Sequence, residues 1–129
     1  MPNKKKIVLV EDDKILSKTL SDGLKEAGFE VLRAFDGEAG LAMVKMEKPA
    51  LVLLNILMPK MDGLTVAKQI KSNAQTMDIP IIILTVLEKG EPVAESLESG
   101  VCDYLVKSKF KVEDIVAKVK EKLKNKRVC

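Results

Sequence analysis

The sequence contains no histidine and no tryptophan, and its two cysteines, Cys102 and Cys129, stand far apart with no CxxC pair. Without histidine or paired cysteines, most zinc-site patterns and any histidine-based acid–base or triad chemistry are excluded. Aromatic residues make up only 3% of the chain, which argues against a surface that stacks nucleic-acid bases. The core must therefore be built from aliphatic side chains.

Long apolar runs are also missing, since no segment approaches the length of a membrane span. The first residues, Met1-Pro2-Asn3, carry no apolar stretch of the signal-peptide kind. Two distant thiols in such a chain suggest a reducing compartment. We therefore expect a cytoplasmic protein with no membrane partner.

The composition suits one compact domain, because 47% of the 129 residues are hydrophobic and 32% are charged. The net charge is +3, and the cations gather at Lys4-Lys5-Lys6 and along the last stretch, at Lys118, Lys120, Lys122, Lys124, Lys126 and Arg127. Two interpretations are open: solvated ends with a helix C-terminus that favours cations, or a basic patch for an acidic partner or nucleic acid. The first is favoured, because charge runs usually mark solvated faces.

Short apolar runs alternate with helical patterns along the chain. Strands are predicted at Ile7–Val10, Phe29–Ala34, Leu51–Leu54, Ile81–Leu84 and Tyr104–Val106. The first helix is predicted to start at an N-cap, Asp12 or Asp13, and to stop at Gly28. Three more helices are predicted after Asp36 to about Met46, at about Leu64 to Ser72 and at about Pro92 to Ser99. The last helix has apolar residues on one face, at Val112, Ile115, Val116, Val119 and Leu123.

Strict alternation of strand and helix indicates right-handed βαβ units and a parallel sheet covered on both faces. The expected fold is α/β: a doubly wound five-stranded parallel sheet of order 2-1-3-4-5 in a flavodoxin-like three-layer sandwich. Ligands of such sheets bind beyond the carboxyl ends of the strands where the winding reverses, here between the first and third strands. We expect one domain over residues 1–129, with its core at about 5–123 and no output domain.

Polar side chains follow four of the predicted strands at that edge. They are Glu11, Asp12 and Asp13 after the first strand, Asn55 after the third, Thr85 after the fourth and Lys107 after the fifth. Clustered carboxylates bind Mg²⁺, a hard cation that prefers oxygen ligands, and the backbone carbonyl of Leu57 could add another ligand. A hydroxyl at Thr85 and an ammonium at Lys107 could contact phosphoryl oxygens, so the set fits phosphoryl transfer.

Each of these residues also has a purely structural interpretation. Asp12 and Asp13 could only cap the next helix, Thr85 could be a turn residue, and Lys107 could be solvated. Because all of these residues are predicted at the same edge of the sheet, the interpretation as a pocket is favoured.

Four separated motifs carry a family resemblance. They are Val10–Asp13 (VEDD), Met58–Gly63 (MPKMDG), Ile83–Thr85 (ILT) and Asp103–Lys107 (DYLVK). In this order they resemble the receiver domains of two-component response regulators, of the chemotaxis-regulator type, over about Lys5 to Leu123.

The resemblance implies roles for individual residues. It assigns Mg²⁺ binding to Glu11 and Asp12, and Asn55 and Leu57 complete the expected metal site. It places the phosphoacceptor position at Asn55, the hydroxyl at Thr85 and the lysine at Lys107. A switch is implied at Thr85 and Tyr104, although a half-buried strand aromatic is an equally good interpretation of Tyr104.

The implied partners are a histidine kinase or phosphotransfer protein and a downstream protein. The downstream protein is expected on the face formed by the predicted fourth helix, the fifth strand and the last helix. We expect no conventional enzyme activity, no direct contact with nucleic acid, and a monomer or weak dimer.

Asn55 departs from the family, whose aspartate attacks phosphorus with a carboxylate oxygen. An amide has nearly the same shape but lacks the charge and is a poor nucleophile, so we expect no normal phosphorylation of this form. Mg²⁺ binding should also weaken, because the affinity for a hard cation follows ligand charge.

Two origins of Asn55 are open: a natural pseudo-receiver that works as a phosphorylation-independent binding module, or a substitution made to block phosphorylation. Retention of Glu11, Asp12, Thr85 and Lys107 favours the second.

Overall fold

The computed structural model describes residues 4–56, 58, 60–85, 103–106 and 111–124, and strands and helices alternate from residue 6 to residue 85. The strands are β1 (Lys6–Val10), β2 (Glu30–Ala34), β3 (Leu51–Asn55), β4 (Ile81–Thr85) and β5 (Asp103–Val106). The helices are α1 (Lys14–Glu26), α2 (Gly37–Glu47), α3 (Gly63–Lys71) and α4 (Val112–Lys124). The helix predicted at about Pro92 to Ser99 lies outside the described residues.

The strands form one sheet in the order β2-β1-β3-β4-β5, and each pairing between them is parallel. Val10, at the end of β1, is level with Ala34 of β2 and Leu54 of β3. The carboxyl ends of these three strands therefore meet at one edge, where the winding reverses between β1 and β3. The predicted α/β fold with a parallel sheet is confirmed.

Successive residues of each strand point to opposite faces of the sheet, and each face packs against two of the described helices. On one face the buried side chains of β1 and β3 pack with α2 and α3; they are Val8, Val10, Val52 and Leu54. On the other face they pack with α1 and α4; they are Ile7, Leu9, Leu51 and Leu53. Burying each such side chain stabilises the fold by roughly 1.5–3 kcal/mol, which explains why the strands read as continuous apolar runs.

Aspartates begin the first three helices. The side chains of Asp13, Asp36 and Asp62 accept hydrogen bonds from backbone N–H groups in the first turns of α1, α2 and α3. Each cap satisfies N–H groups that have no partner within the helix, and is worth about 1 kcal/mol. All three caps stand at the carboxyl edge of the sheet, because each of these helices follows a strand.

The end of α1 explains why β2 starts one residue later than predicted. Gly28, with φ of 99°, follows the helix as expected for a left-handed stop. The N–H of Gly28 donates to the Lys25 carbonyl at 3.0 Å and that of Phe29 to the Leu24 carbonyl at 3.1 Å. This is a Schellman motif, so Phe29 closes α1 and pairing with β1 begins at Glu30.

Among the described residues, no helix has the length and apolar character needed to cross a bilayer.

Candidate functional site

The polar residues that follow β1 and β3 meet because the two strands end level with each other. Val10 is opposite Leu54, so Glu11 and Asp12 emerge beside Asn55. The backbone N–H of Glu11 donates to the Ala34 carbonyl at 3.0 Å, which carries the parallel pairing one residue beyond β1. This extra hydrogen bond fixes the first carboxylate at the carboxyl edge of the sheet.

The side-chain amide of Asn55 links the two carboxylates. Its Nδ2 atom donates to Glu11 Oε2 at 3.1 Å and to Asp12 Oδ1 at 3.1 Å. Glu11 and Asn55 are only 1% and 6% exposed, so the hydrogen bond between them forms away from water, whereas Asp12 is exposed. Hydrogen bonds to charged groups contribute roughly 1.5–3 kcal/mol each, enough to hold two like charges close together.

A backbone group adds a second constraint on Glu11. The N–H of Asp13 donates to Glu11 Oε2 at 3.0 Å, so this oxygen accepts from Asp13 and from Asn55. A buried carboxylate needs such partners, since burial of an unpaired charge is costly. Glu11 is thus held in place by the chain that follows it and by β3.

The neighbouring aspartates Asp12 and Asp13 have different tasks. Asp13 Oδ1 accepts from the N–H groups of Ile15 at 3.0 Å and Leu16 at 3.1 Å, as the N-cap of α1. Asp12 Oδ1 accepts from Asn55 instead. Capping is therefore confirmed for Asp13, whereas Asp12 contacts the side chain of Asn55.

A tight turn shapes the side of the site after β3. The N–H of Gly63 donates to the Ile56 carbonyl at 2.7 Å, and a Cβ atom at residue 63 would overlap the carbonyl oxygen of Asn55. Only a residue without a side chain can approach the end of β3 this closely. The glycine of the MPKMDG motif therefore positions the backbone of Asn55.

The sequence did not reveal two further features at this edge. Lys60 Nζ lies 3.8 Å from Asp36 Oδ2, which joins the loop after β3 to the start of α2. The ring of Phe35, which follows β2, has Lys14 Nζ 5.7 Å and Arg33 Cζ 5.1 Å from its centroid. Phe35 could have been noted in the sequence, because it follows β2 as Glu11 follows β1. The contact of Lys60 with Asp36 could not, because contacts of loops leave no periodic pattern.

The remaining predicted site residues are described only in part. Thr85 ends β4 with its backbone opposite Val106, and Tyr104 is opposite Ile83, so both are placed by the sheet. Their side chains lie outside the described residues, as do Leu57 and Lys107 entirely.

The oxygen donors of the site suit a hard cation, because Glu11 and Asp12 turn carboxylate oxygens towards one point. Within the described ranges, no cluster of three or more histidine, cysteine, aspartate and glutamate side chains could hold a metal ion. Asn55 faces these carboxylates with the N–H donors of its side-chain amide.

Comparison with protein families gives a match to the model of the response regulator receiver domain over residues 7–120. The chain is 35% identical over 119 residues to the DNA-binding dual master transcriptional regulator RpaA of Synechocystis, covering 92% of this chain and 49% of that protein. It is 34% identical over 125 residues to the alkaline phosphatase synthesis transcriptional regulatory protein PhoP of Bacillus subtilis, covering 97% of this chain and 51% of that protein. The chain spans about half the length of these relatives.

Among solved structures, a CheY-like response regulator receiver domain protein of Methanospirillum hungatei has the same fold. The TM-score is 0.90 at 27% identity, and the match covers 97% of this chain and 98% of that one.

Proposed function

Because the chain belongs to the family of response regulator receiver domains, we propose that it receives signals in a two-component system and that Asn55 occupies the phosphoacceptor position. The observation that carries this proposal is the contact of the Asn55 side chain with the carboxylates of Glu11 and Asp12. A phosphoacceptor must stand beside the carboxylates that hold the metal, and the position of residue 55 next to Glu11 and Asp12 supports this role.

The chemistry belongs to the Asn55→Asp form. One carboxylate oxygen of residue 55 would attack the phosphorus of a donor. The new O–P bond forms while the bond from phosphorus to the leaving group breaks, and the leaving group keeps the electron pair. The donor would be a phosphohistidine on a histidine kinase or phosphotransfer protein.

Glu11 and Asp12 would hold Mg²⁺, which supplies positive charge next to the transferred oxygens when bound. Glu11 is prepared for this role by the N–H of Asp13, which orients its Oε2. The hydroxyl of Thr85 and the ammonium of Lys107 are proposed to contact the phosphoryl group. Thr85 and Tyr104 are proposed to shift between two conformations when the phosphoryl group is attached.

With asparagine at residue 55 the transfer does not proceed. The amide oxygen is a weak nucleophile, and the amide nitrogen shares its lone pair with the carbonyl. The amide also removes one negative charge from the set that would attract Mg²⁺, so the metal binds more weakly.

A second candidate function is a phosphorylation-independent binding module. It is favoured by the hydrogen bonds that the Asn55 amide donates to both carboxylates, which hold them in one arrangement. The side chains of such a pocket would keep one arrangement with or without metal or phosphodonor, and a partner protein would recognise that arrangement. The downstream protein would bind the face of β5, α4 and the helix predicted at about Pro92 to Ser99.

The test is the mass of the intact protein after incubation with acetyl phosphate and Mg²⁺. We compare the Asn55 form, Asn55→Asp, and Asn73→Asp as a matched amide-to-acid control in the loop after α3. One phosphoryl group on Asn55→Asp alone supports a blocked receiver. An adduct on the Asn55 form, or equally on Asn73→Asp, contradicts the assignment of residue 55, and no adduct on any form favours the binding module.

The cytoplasm is the usual location of this family, and the same location is proposed here. The DNA binding named for the Synechocystis regulator belongs to a protein about twice as long, and direct contact with nucleic acid is not proposed for this chain.

A further inference from the structure

We propose that β2 binds an extended, acidic segment of a partner protein, which adds to the sheet as a further strand. The binding surface is the outer edge of β2, meaning the side of the strand that faces away from β1. The proposal does not rest on the function assigned to residue 55, because pairing along this edge involves neither Asn55 nor the carboxylates beside it.

The outer edge exists because β2 has one neighbour. β2 stands at the end of the strand order and, among the described strands, pairs only with β1. The N–H of Glu30 donates to the Lys5 carbonyl at 3.0 Å, and the Ala34 carbonyl accepts from the N–H of Glu11 at 3.0 Å. Alternate residues of a strand direct their backbone groups to the same side, so Leu32 also faces β1.

The backbone groups of Val31 and Arg33 therefore point away from the sheet. Within the described part of the chain, their N–H and C=O groups make no hydrogen bond beyond the pairing of β1 with β2. Both residues are partly exposed, as is Leu32 between them. Such an edge is a template for the backbone of another extended chain.

The usual protections of an edge strand are few here. β2 contains neither proline nor glycine, and its pairing with β1 runs through five consecutive residue pairs without a bulge. Its one basic residue is Arg33. The backbone of the edge is therefore ready to pair, and the charge at Arg33 selects which segment can do so.

Two cations gather at the carboxyl end of this edge. Arg33 Nε donates to the buried Ser17 Oγ at 2.9 Å, and its Cζ lies 5.1 Å from the centroid of the Phe35 ring. These contacts hold the guanidinium in one place. Lys14 Nζ lies 5.7 Å from the centroid of the same ring. Within the described ranges, neither cation forms an ion pair.

Acidic side chains of α1 and β2 do not neutralise this pair of cations. Asp13 caps α1, and Asp22 lies 2.9 Å from Lys18. Glu30 is three residues before Arg33, so it stands at the other end of β2 and on the opposite face of the sheet. The carboxyl end of the edge is therefore complementary to an acidic side chain.

The two faces of β2 specify a pattern for the bound segment. Val31 and Arg33 lie on the face that packs with α1, whereas Leu32 lies on the face that packs with α2. In an added strand the residues opposite Val31 and Arg33 share the first face, and the residues between them share the second. Acidic residues on the first face would meet Arg33 and Lys14, and apolar residues on the second would lie beside Leu32.

The length of the edge limits the strength of binding. β2 has five residues, and only two of them direct backbone groups outwards. The surface buried by one added strand is smaller than that of a stable protein complex, so we expect a Kd on the order of 0.1–1 mM for a short isolated peptide. A partner protein with further contacts would bind more tightly.

The probe is a hexapeptide of alternating valine and glutamate with blocked ends, and the control peptide has lysine in place of glutamate. Each is titrated into ¹⁵N-labelled protein and followed by NMR. The glutamate peptide should shift the amide signals of Val31 and Arg33 most and slow the exchange of these N–H groups with solvent, because they become hydrogen-bonded. The lysine peptide should leave them unchanged.

Variants of the protein test the backbone and the charges separately. Val31→Pro removes an outward N–H and places a ring on the outer edge, while the N–H groups that bond to β1 remain, so the Kd should rise by about tenfold or more. Arg33→Glu combined with Lys14→Glu should reject the glutamate peptide and bind the lysine peptide instead. This gain of binding cannot come from damage to the fold. Lys45→Glu on the exposed side of α2 is the matched charge control.

Binding at the β2 amides, its loss in Val31→Pro and the exchanged peptide preference of the charge variant would support the proposal. Absence of shifts at millimolar peptide, equal binding of both peptides, a Val31→Pro variant that binds normally, or an equal effect of Lys45→Glu would each overturn it. Shifts of the same amides with protein concentration alone would assign the edge to a second copy of the chain and would also overturn it.

Discussion

The α-carbon of Gly63 lies directly against the carbonyl oxygen of Asn55, with no space for a methyl group between them. The contact joins the first turn of α3 to the residue that ends β3. Both sides of it are backbone, so neither can move away by changing a rotamer. Residue 63 thus controls where residue 55 stands.

Gly63→Ala should therefore lower the free energy of unfolding by about 1–3 kcal/mol and, in the Asn55→Asp form, slow phosphoryl acceptance. Urea unfolding and the acetyl phosphate assay measure the two effects. Gly28→Ala is the control, because its Cβ meets nothing within 4 Å and only the positive φ of 99° is strained. It should cost about 1–2 kcal/mol and leave acceptance unchanged. Equal acceptance by both alanine variants would count against positioning by Gly63.

Asn55→Asp should be less stable than the Asn55 form when divalent cations are removed. The exchange replaces the two N–H bonds to Glu11 and Asp12 with a third carboxylate, and we expect a loss of about 2–4 kcal/mol. Mg²⁺ should return much of this stability to Asn55→Asp and add little to the Asn55 form. Urea unfolding with EDTA and with Mg²⁺ gives the comparison, and Asn73→Asp controls for the added charge. A metal-free Asn55→Asp that is as stable as the parent would remove the argument that the amide holds the carboxylates together.

In the Asn55→Asp background, replacing Asp12 should affect phosphoryl acceptance, whereas replacing Asp13 should affect the free energy of unfolding. Asp13→Ala removes the N-cap of α1 and should cost about 1 kcal/mol while phosphoryl acceptance persists. Asp12→Ala removes a metal carboxylate and should abolish acceptance with little loss of stability in metal-free buffer. Unfolding curves and intact mass are measured on both variants. The division of tasks is wrong if Asp13→Ala is the variant that loses acceptance.

Two serines of α1 offer a matched pair for hydrogen bonding in the core. Ser17 Oγ accepts from Arg33 Nε at 2.9 Å, whereas Ser21 Oγ is buried with no partner among the described residues. Ser21→Ala should raise the free energy of unfolding by about 1 kcal/mol and Ser17→Ala should lower it. Alanine gains the same helix propensity at both positions, so the difference reports the partner of the hydroxyl. Thermal and urea unfolding of both variants would reveal the opposite signs, and equal signs would contradict the explanation.

Lys71 should give the stability a dependence on alkaline pH. Its Nζ donates to the carbonyls of Met77 at 3.0 Å and Ile79 at 2.7 Å, and burial lowers its pKa while Asp78 opposes the shift. Between the lowered folded pKa and the unfolded value of about 10.4, the unfolded chain holds more protons. The free energy of unfolding should therefore rise with pH through that window.

The measurement for Lys71 is urea unfolding at a series of alkaline pH values, with an NMR titration of Nζ. Lys71→Met should flatten the rise, and Lys68→Met on the exposed side of α3 is the matched control. A slope that survives in Lys71→Met would assign the effect to another group.

Much of the site could be predicted because parallel strands bring their carboxyl ends to one edge. Glu11 and Asn55 are far apart in sequence, yet the alternation of strand and helix placed them together. The sequence could not assign Asp12 and Asp13, because either carboxylate can cap a helix or bind a metal. The backbone decides: Asp13 has φ −73° and ψ 108°, the extended conformation of an N-cap.

Contacts between loops and chain ends were beyond prediction for a different reason. The approach of Lys60 to Asp36 depends on a loop with no periodic pattern. The sequence also could not show that Lys5 and Lys124 border one surface depression, since they lie at opposite ends of the chain. Only the fold brings the two ends of the chain together.

The helix α1 connects the carboxylate edge of the sheet with α4. Its first turn adjoins the carboxylates, while Gly23, one turn before its end, packs against Val112 of α4. Its 13 residues extend about 20 Å. A rigid displacement of α1 would carry a change at residue 55 along this length, and the tight contact of Gly23 with Val112 Cγ1 would pass the displacement to α4.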